Sequence, residues 1–123
     1  MAIQSLKKQS DFDLVNKIGY KINTPYFLAI CATYPENSQN YRISSFFLGM
    51  KVSRKLGNAV IRNKIKRRIR HLVRIIQAKK GLNNSALIII PKKNFQNIHF
   101  TMLVLEFEKL YLSYMKNIVC QAI

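Results

Sequence analysis

Residues 51–80, KVSRKLGNAVIRNKIKRRIRHLVRIIQAKK, hold twelve Lys and Arg and no Asp or Glu. Apolar residues recur inside that run at Ile61, Ile65, Ile69, Leu72 and Ile76. Steps of four, four, three and four are the spacing of one helical face. A cationic run without periodicity reads as a disordered tail; this one reads as a helix docked on a core by one stripe. With Ile65 at the centre and about 100° per residue, the other four stay within roughly 40° of it. Asn63, Lys64, Lys66, Arg67, Arg70, His71 and Arg74 then fall on the exposed arc. Arg62 and Arg68 flank the stripe, where their stems cover its edges.

So dense a charge repels itself, and a polyanion is the natural partner. The whole chain agrees: 123 residues carry 21 Lys plus Arg against 5 Asp plus Glu, a net charge of +16. The acids are Asp11, Asp13, Glu36, Glu106 and Glu108, so nothing acidic screens the middle of the chain. Arg grips phosphate oxygens in pairs through its planar fork, which Lys cannot do. Gly57 and Asn58 expose backbone N–H groups at the helix start, a further phosphate site. Neutralising about six phosphates sets a slope of log affinity against log salt of roughly −4 to −5.

Length predicts one RNA-binding domain over residues 1–123, and a hydrophobic fraction of 49% supplies its core. Around the basic helix the expected elements alternate. Ser10 with Asp13 resembles a capping pair for a short helix through Leu14, Val15 and Ile18, stopped at Gly19. Tyr26 to Tyr34 reads as a buried strand, Pro35 to Asn40 as a turn, and Arg42 to Ser53 as a second strand with a bulge at Gly49. The basic helix runs from Gly57–Asn58 to about Ala78 and is ended by Gly81 to Asn84. Ala86 to Pro91 is a central strand, followed by a loop with Lys92 and Lys93. Phe100 to Lys116 reads as a last helix, although Thr101 to Phe107 also fits a strand. The expected class is α+β in the order α-β-β-α-β-α, a small mixed sheet packed by helices.

Several chemistries are disfavoured. The two histidines, His71 and His99, lie far apart in sequence and read as ordinary surface or edge residues. No carboxylate cluster would hold metal ions for hydrolysis, and there is no phosphate-binding glycine loop. Catalytic residues and metal ligands are therefore expected to be none. Cys31 and Cys120 sit in apolar contexts and read as buried thiols of a reducing compartment. No apolar run reaches the roughly 18 residues of a membrane span, and no secretory leader is evident. A cytoplasmic protein without a membrane is expected. Composition alone leaves open a structural RNA-binding protein of ribosomal type, or a DNA-binding module with its basic helix in a major groove. The apolar run at Ile88 and the lack of a preceding short helix-turn-helix partner count against DNA.

Gly49 to Arg70, GMKVSRKLGNAVIRNKIKRRIR, closely resembles the signature of the bacterial ribonuclease P protein subunit. The matching positions are Ser53, Arg54, Lys55, Gly57, Asn58, Ala59, Val60, Arg62, Asn63, Lys64, Ile65, Lys66, Arg67, Ile69 and Arg70. Leu6-Lys7-Lys8, Asp11-Phe12, Gly19, Phe27, and Ile88-Ile89-Ile90 with Lys92 follow in order, so the likeness covers about residues 5–116. The resemblance implies an α+β fold with a left-handed β-α-β crossover, shared with a ribosomal-protein domain and an exception to the usual hand. It implies a subunit that partners a catalytic RNA and assists endonucleolytic removal of the 5′ leader from precursor tRNA. Catalysis falls to the RNA and its Mg²⁺, not to protein side chains, and no obligate protein partner is implied. Carried over by position, Asn58, Arg62, Asn63, Lys64, Lys66, Arg67, Arg68 and Arg70 bind the catalytic RNA. Phe12, Phe27, Lys51, Ser53, Arg54, Lys55 and Lys92 line or border a leader cleft, where an aromatic ring stacks on a splayed base. For Phe12 and Phe27 plain core packing is the competing reading. The chain departs from the family at Asn16 and Ile30, where aromatics are common, and at Lys64, where Arg is commoner.

Overall fold

The structure, a computed structural model, describes residues 3–6, 9–33, 46–80 and 85–122. Its elements are β1 (Ile3–Ser5), α1 (Gln9–Ile18), β2 (Tyr20–Asn23), β3 (Phe27–Thr33), β4 (Phe46–Met50), α2 (Ala59–Lys80), β5 (Ser85–Pro91) and α3 (Phe100–Ala122). Two short 3-10 turns, Arg54–Leu56 and Lys93–Phe95, precede α2 and α3. One five-stranded sheet has the order β1-β4-β5-β3-β2. β1, β4 and β5 run parallel, while β3 is antiparallel to β5 and β2 to β3. The mixed α+β class and the order of the larger elements follow the sequence reading. The expected turn at Pro35–Asn40 and the helix stop at Gly81–Asn84 lie outside the described residues.

Alternation along the strands divides the core in two, because successive strand side chains point to opposite faces. Phe27, Ala29, Cys31, Phe46, Leu48, Leu87 and Ile89 belong to the larger cluster, with Ile65, Ile69, Leu72, Val73 and Ile76 of α2 and Leu103, Phe107 and Leu110 of α3. The predicted apolar stripe of α2 is thus its buried face, with Ile61 half-buried at the end. Ile30, Ala32, Ala86 and Ile88 face the other way, against Leu6 and Val15, with Phe12 and Leu14 packed beside them. α2 and α3 therefore cover one face of the sheet and α1 the other. Each fully buried large side chain contributes about 1.5–3 kcal/mol. Phe107 touches Phe27 at a centroid distance of 4.7 Å, and its truncation to Ala would cost about 3–5 kcal/mol.

Four expectations need correction. Ser10 does not cap α1: the helix already begins at Gln9, whose amide Nε2 donates to Asp13 Oδ1 at 3.0 Å. Gly49 is no bulge, since β4 pairs with β5 without interruption and Gly49 lies opposite Ile88. Its glycine answers a different need: a Cβ there would lie 2.7 Å from the Phe12 ring. Two short edge strands, β1 and β2, flank the expected sheet. The last helix continues beyond Lys116, to Ala122.

Candidate nucleic-acid interface

The approach to α2 is built by two caps. Ser53 Oγ accepts from Lys55 N at 3.2 Å and opens the first 3-10 turn. Asn58 Oδ1 accepts from Ile61 N at 3.0 Å and satisfies one of the free donors at the start of α2. Between them Gly57 has φ 148°, a left-handed value, and an added Cβ would meet Ile61 at 2.9 Å. Only glycine fits that position at low cost. The Gly57-Asn58 pair thus sets the direction in which α2 leaves the sheet.

Beyond the caps α2 presents Asn63, Lys64, Arg67, Arg70, His71 and Arg74 to solvent, while Lys66 is half-buried. Arg70 and Arg74 also line a hollow of about 190 Å³ with Ser5, Leu48 and Met50. Arg62 is half-buried, and its Nε is enclosed without a hydrogen-bond partner. Arg68 departs from its expected role. Its Nη1 donates to the carbonyls of Phe95 at 3.0 Å and Gln96 at 3.3 Å, and its Nη2 to that of Ile98 at 2.5 Å. Burial lowers its pKa from the ordinary arginine value, but an arginine keeps its charge regardless. The guanidinium pins the second 3-10 turn to α2 and is spent on three carbonyls rather than offered to phosphate.

On the opposite face of the sheet, the Phe12 ring of α1 is half-buried and rests against Gly49. Lys51 Nζ stands 5.4 Å from its centroid, a cation–π distance. Ser53, Arg54 and Lys55 are exposed on the turn that follows. With the exposed turn that follows Lys51 in the chain, Phe12 and Lys51 make up a basic and aromatic border. Phe27 is not part of it. It is 0% exposed and sits edge-on to Phe95 at 6.4 Å, so its ring has no face free for a base; packing wins at this position. Lys92 is also tied down, its Nζ donating to Asn23 Oδ1 at 2.6 Å and Thr24 O at 2.7 Å. Thr24 is itself a buried turn residue, accepting from Phe27 N and donating to Phe27 O. Lys92 thus joins the end of β5 to the β2–β3 turn. Ile30, one of the departures from the family pattern, is core, and Asn16 is half-buried on α1.

Among the described residues, no three His, Cys, Asp or Glu side chains gather where they could hold a metal ion. No described helix is long and apolar enough to cross a membrane. Cys31 is buried and its thiol is pushed up to about 12 by that burial, which keeps it neutral and unreactive.

The family model for Ribonuclease P matches residues 2–115. The chain belongs to the ribonuclease P protein family. It is 48% identical over 116 residues to the ribonuclease P protein component of Rickettsia rickettsii (strain Sheila Smith), covering 91% of this chain and 98% of that one. The component from Rickettsia akari (strain Hartford) is 50% identical over 115 residues, with the same coverages. Among solved structures, a Staphylococcus aureus RNase P protein mutant described as having defective mRNA degradation activity aligns with a TM-score of 0.73 at 30% identity, over 89% of this chain and 87% of that one. The RNase P protein of Thermotoga maritima aligns with a TM-score of 0.65 at 27% identity, over 87% and 94%. A ribonuclease P protein component is a part of a ribonuclease, and RNA binding, tRNA processing and a ribonucleoprotein setting go with the family.

The sequence reading passed over one element of the surface: the His71 ring pairs with Phe100, centroids 5.3 Å apart. A histidine in the midst of the cationic arc was the available signal. Its partner lies 29 positions later, beyond any local pattern.

Proposed function

We propose that this chain binds the catalytic RNA of ribonuclease P through the exposed face of α2 and the 5′ leader of precursor tRNA along the Phe12–Lys51 border. The RNA and its Mg²⁺ carry out phosphodiester hydrolysis, in the cytoplasm and without an obligate protein partner. The observation that carries the reading is the separation of the two surfaces. α2 and its exposed Lys64, Arg67, Arg70 and Arg74 lie on one face of the sheet, while Phe12 and Lys51 lie on the other. A protein so built grips two nucleic acids at once. Leader contact exists only before cleavage, so it favours precursor over mature tRNA, and the cationic chain screens phosphate repulsion between substrate and catalytic RNA. Asn58 and Ser53 serve by capping, and Arg54 and Lys55 add charge beside the leader path.

The test is cleavage of a leader-bearing precursor tRNA at low Mg²⁺ and moderate salt by the cognate catalytic RNA, with and without the protein. Cleavage at the mature 5′ end that needs both components is the expected result. Tight RNA binding without stimulation would instead make this a structural RNA-binding protein of ribosomal type.

A further inference from the structure

We infer that the His71 ring is a stacking platform for one unpaired base of the RNA bound by α2. The inference deepens the proposed RNA-binding role of α2 and rests on it. On the helical wheel Lys64, Arg67, His71 and Arg74 occupy one arc of about 80°, and all four are exposed. At about 1.5 Å rise per residue, Arg67 stands roughly 6 Å before His71 and Arg74 roughly 4.5 Å after it. A ring with one arginine a helical turn before it and another a turn after it suits a nucleotide stacked on the ring, with neighbouring phosphates within reach of the flexible arginine side chains.

The ring is held in place from below. The Phe100 ring lies under His71 at 5.3 Å with a tilt of 31°. Phe100 opens α3, packs on the larger core cluster and has the Arg68 guanidinium 6.0 Å from its centroid. Arg68 is in turn fixed by three backbone carbonyls. An isolated histidine on a solvated helix would lose its side-chain freedom on binding; this one is positioned beforehand, which lowers that cost. The ligand class follows from nucleic-acid geometry. Bases within an A-form duplex are stacked on one another and hide their faces, so a protein ring meets a base only in a loop, bulge or single strand. The platform thus selects an unpaired segment of RNA, where the arginines alone would accept any phosphate backbone.

The test measures affinity of the full chain for its cognate ribonuclease P RNA across a salt series, with His71→Ala, His71→Phe and Arg67→Ala. Loss of one stacked base weakens binding by roughly 5- to 150-fold, so His71→Ala is expected in that range with the salt slope unchanged. His71→Phe keeps a ring and is expected close to native affinity. Arg67→Ala is expected to flatten the slope by about 0.7–0.9. His71→Ala binding as tightly as native, while Arg67→Ala weakens, overturns the platform and leaves the RNA-binding role of α2 standing. A His71→Phe chain as weak as His71→Ala overturns it too, because the ring then contributes something other than a stacking face. Failure of the native chain to bind this RNA would instead remove the underlying role, a result no variant can mimic.

Discussion

Arg68 illustrates how a residue inside a functional motif can serve the fold. It stands in the densest part of the basic run, yet its guanidinium donates to the carbonyls of Phe95, Gln96 and Ile98. Removing it strands three acceptors that are only partly buried and that water can reach in part, so the loss is that of one or two full bonds to a charged group, each about 1.5–3 kcal/mol. Arg68→Ala is therefore expected to lower stability by about 2–4 kcal/mol in urea unfolding while leaving the salt slope of RNA binding as it was. Arg68→Lys is expected to rescue little, since an ammonium cannot span three carbonyls as a planar fork does. An unchanged unfolding midpoint in Arg68→Ala, with a flattened salt slope, would return this residue to the phosphate-binding face. Composition could not reveal this: the fate of Arg68 depends on carbonyls 27 to 30 residues away. Phe27, which the sequence leaves between the cleft and the core, goes to the core for the same kind of reason: the partners that bury it, Phe95 and Phe107, come from distant segments.

Elements with their own periodicity were legible, and elements defined by their neighbours were not. α2 and β5 stand out in the sequence because one has a helical stripe and the other an unbroken apolar run bounded by turn residues. β1 and β2 have three and four residues, too few for alternation to register, and exist because β4 and β3 offer them edges. Gly49 stands out in the sequence as a break in its strand, but the glycine is needed because its space is taken by a side chain of α1, not because the ladder is distorted. The placement of α1 and α2 on opposite faces of the sheet makes a prediction at this scale. Arg67→Ala should weaken binding to the catalytic RNA, whereas Phe12→Ala should leave that assembly nearly intact and lower affinity for precursor tRNA over mature tRNA. Comparable losses of assembly in both variants would contradict the division between faces.

For the molecule as a whole, the charge of +16 makes ionic strength the dominant control on binding. If α2 meets about six phosphates, the slope of log affinity against log salt is expected near −4 to −5; a slope shallower than about −2 would mean that most of the cationic arc never meets phosphate. The class of fold, the cationic face and the family signature were all legible, because each is written in consecutive residues. The pairing of edges, the two-faced core and the His71–Phe100 contact required the chain to be folded. The sheet order β1-β4-β5-β3-β2 also bears on how the molecule is born. β5 lies between β4 and β3 and joins the β1–β4 pair to the β2–β3 pair. A nascent chain that has not yet extended past Pro91 holds only two separate strand pairs and two helices, α1 and α2, with no closed sheet to dock on. Synthesis thus delivers the tie strand late, and the ribosome, itself a polyanion, is the first surface this unfinished cation encounters.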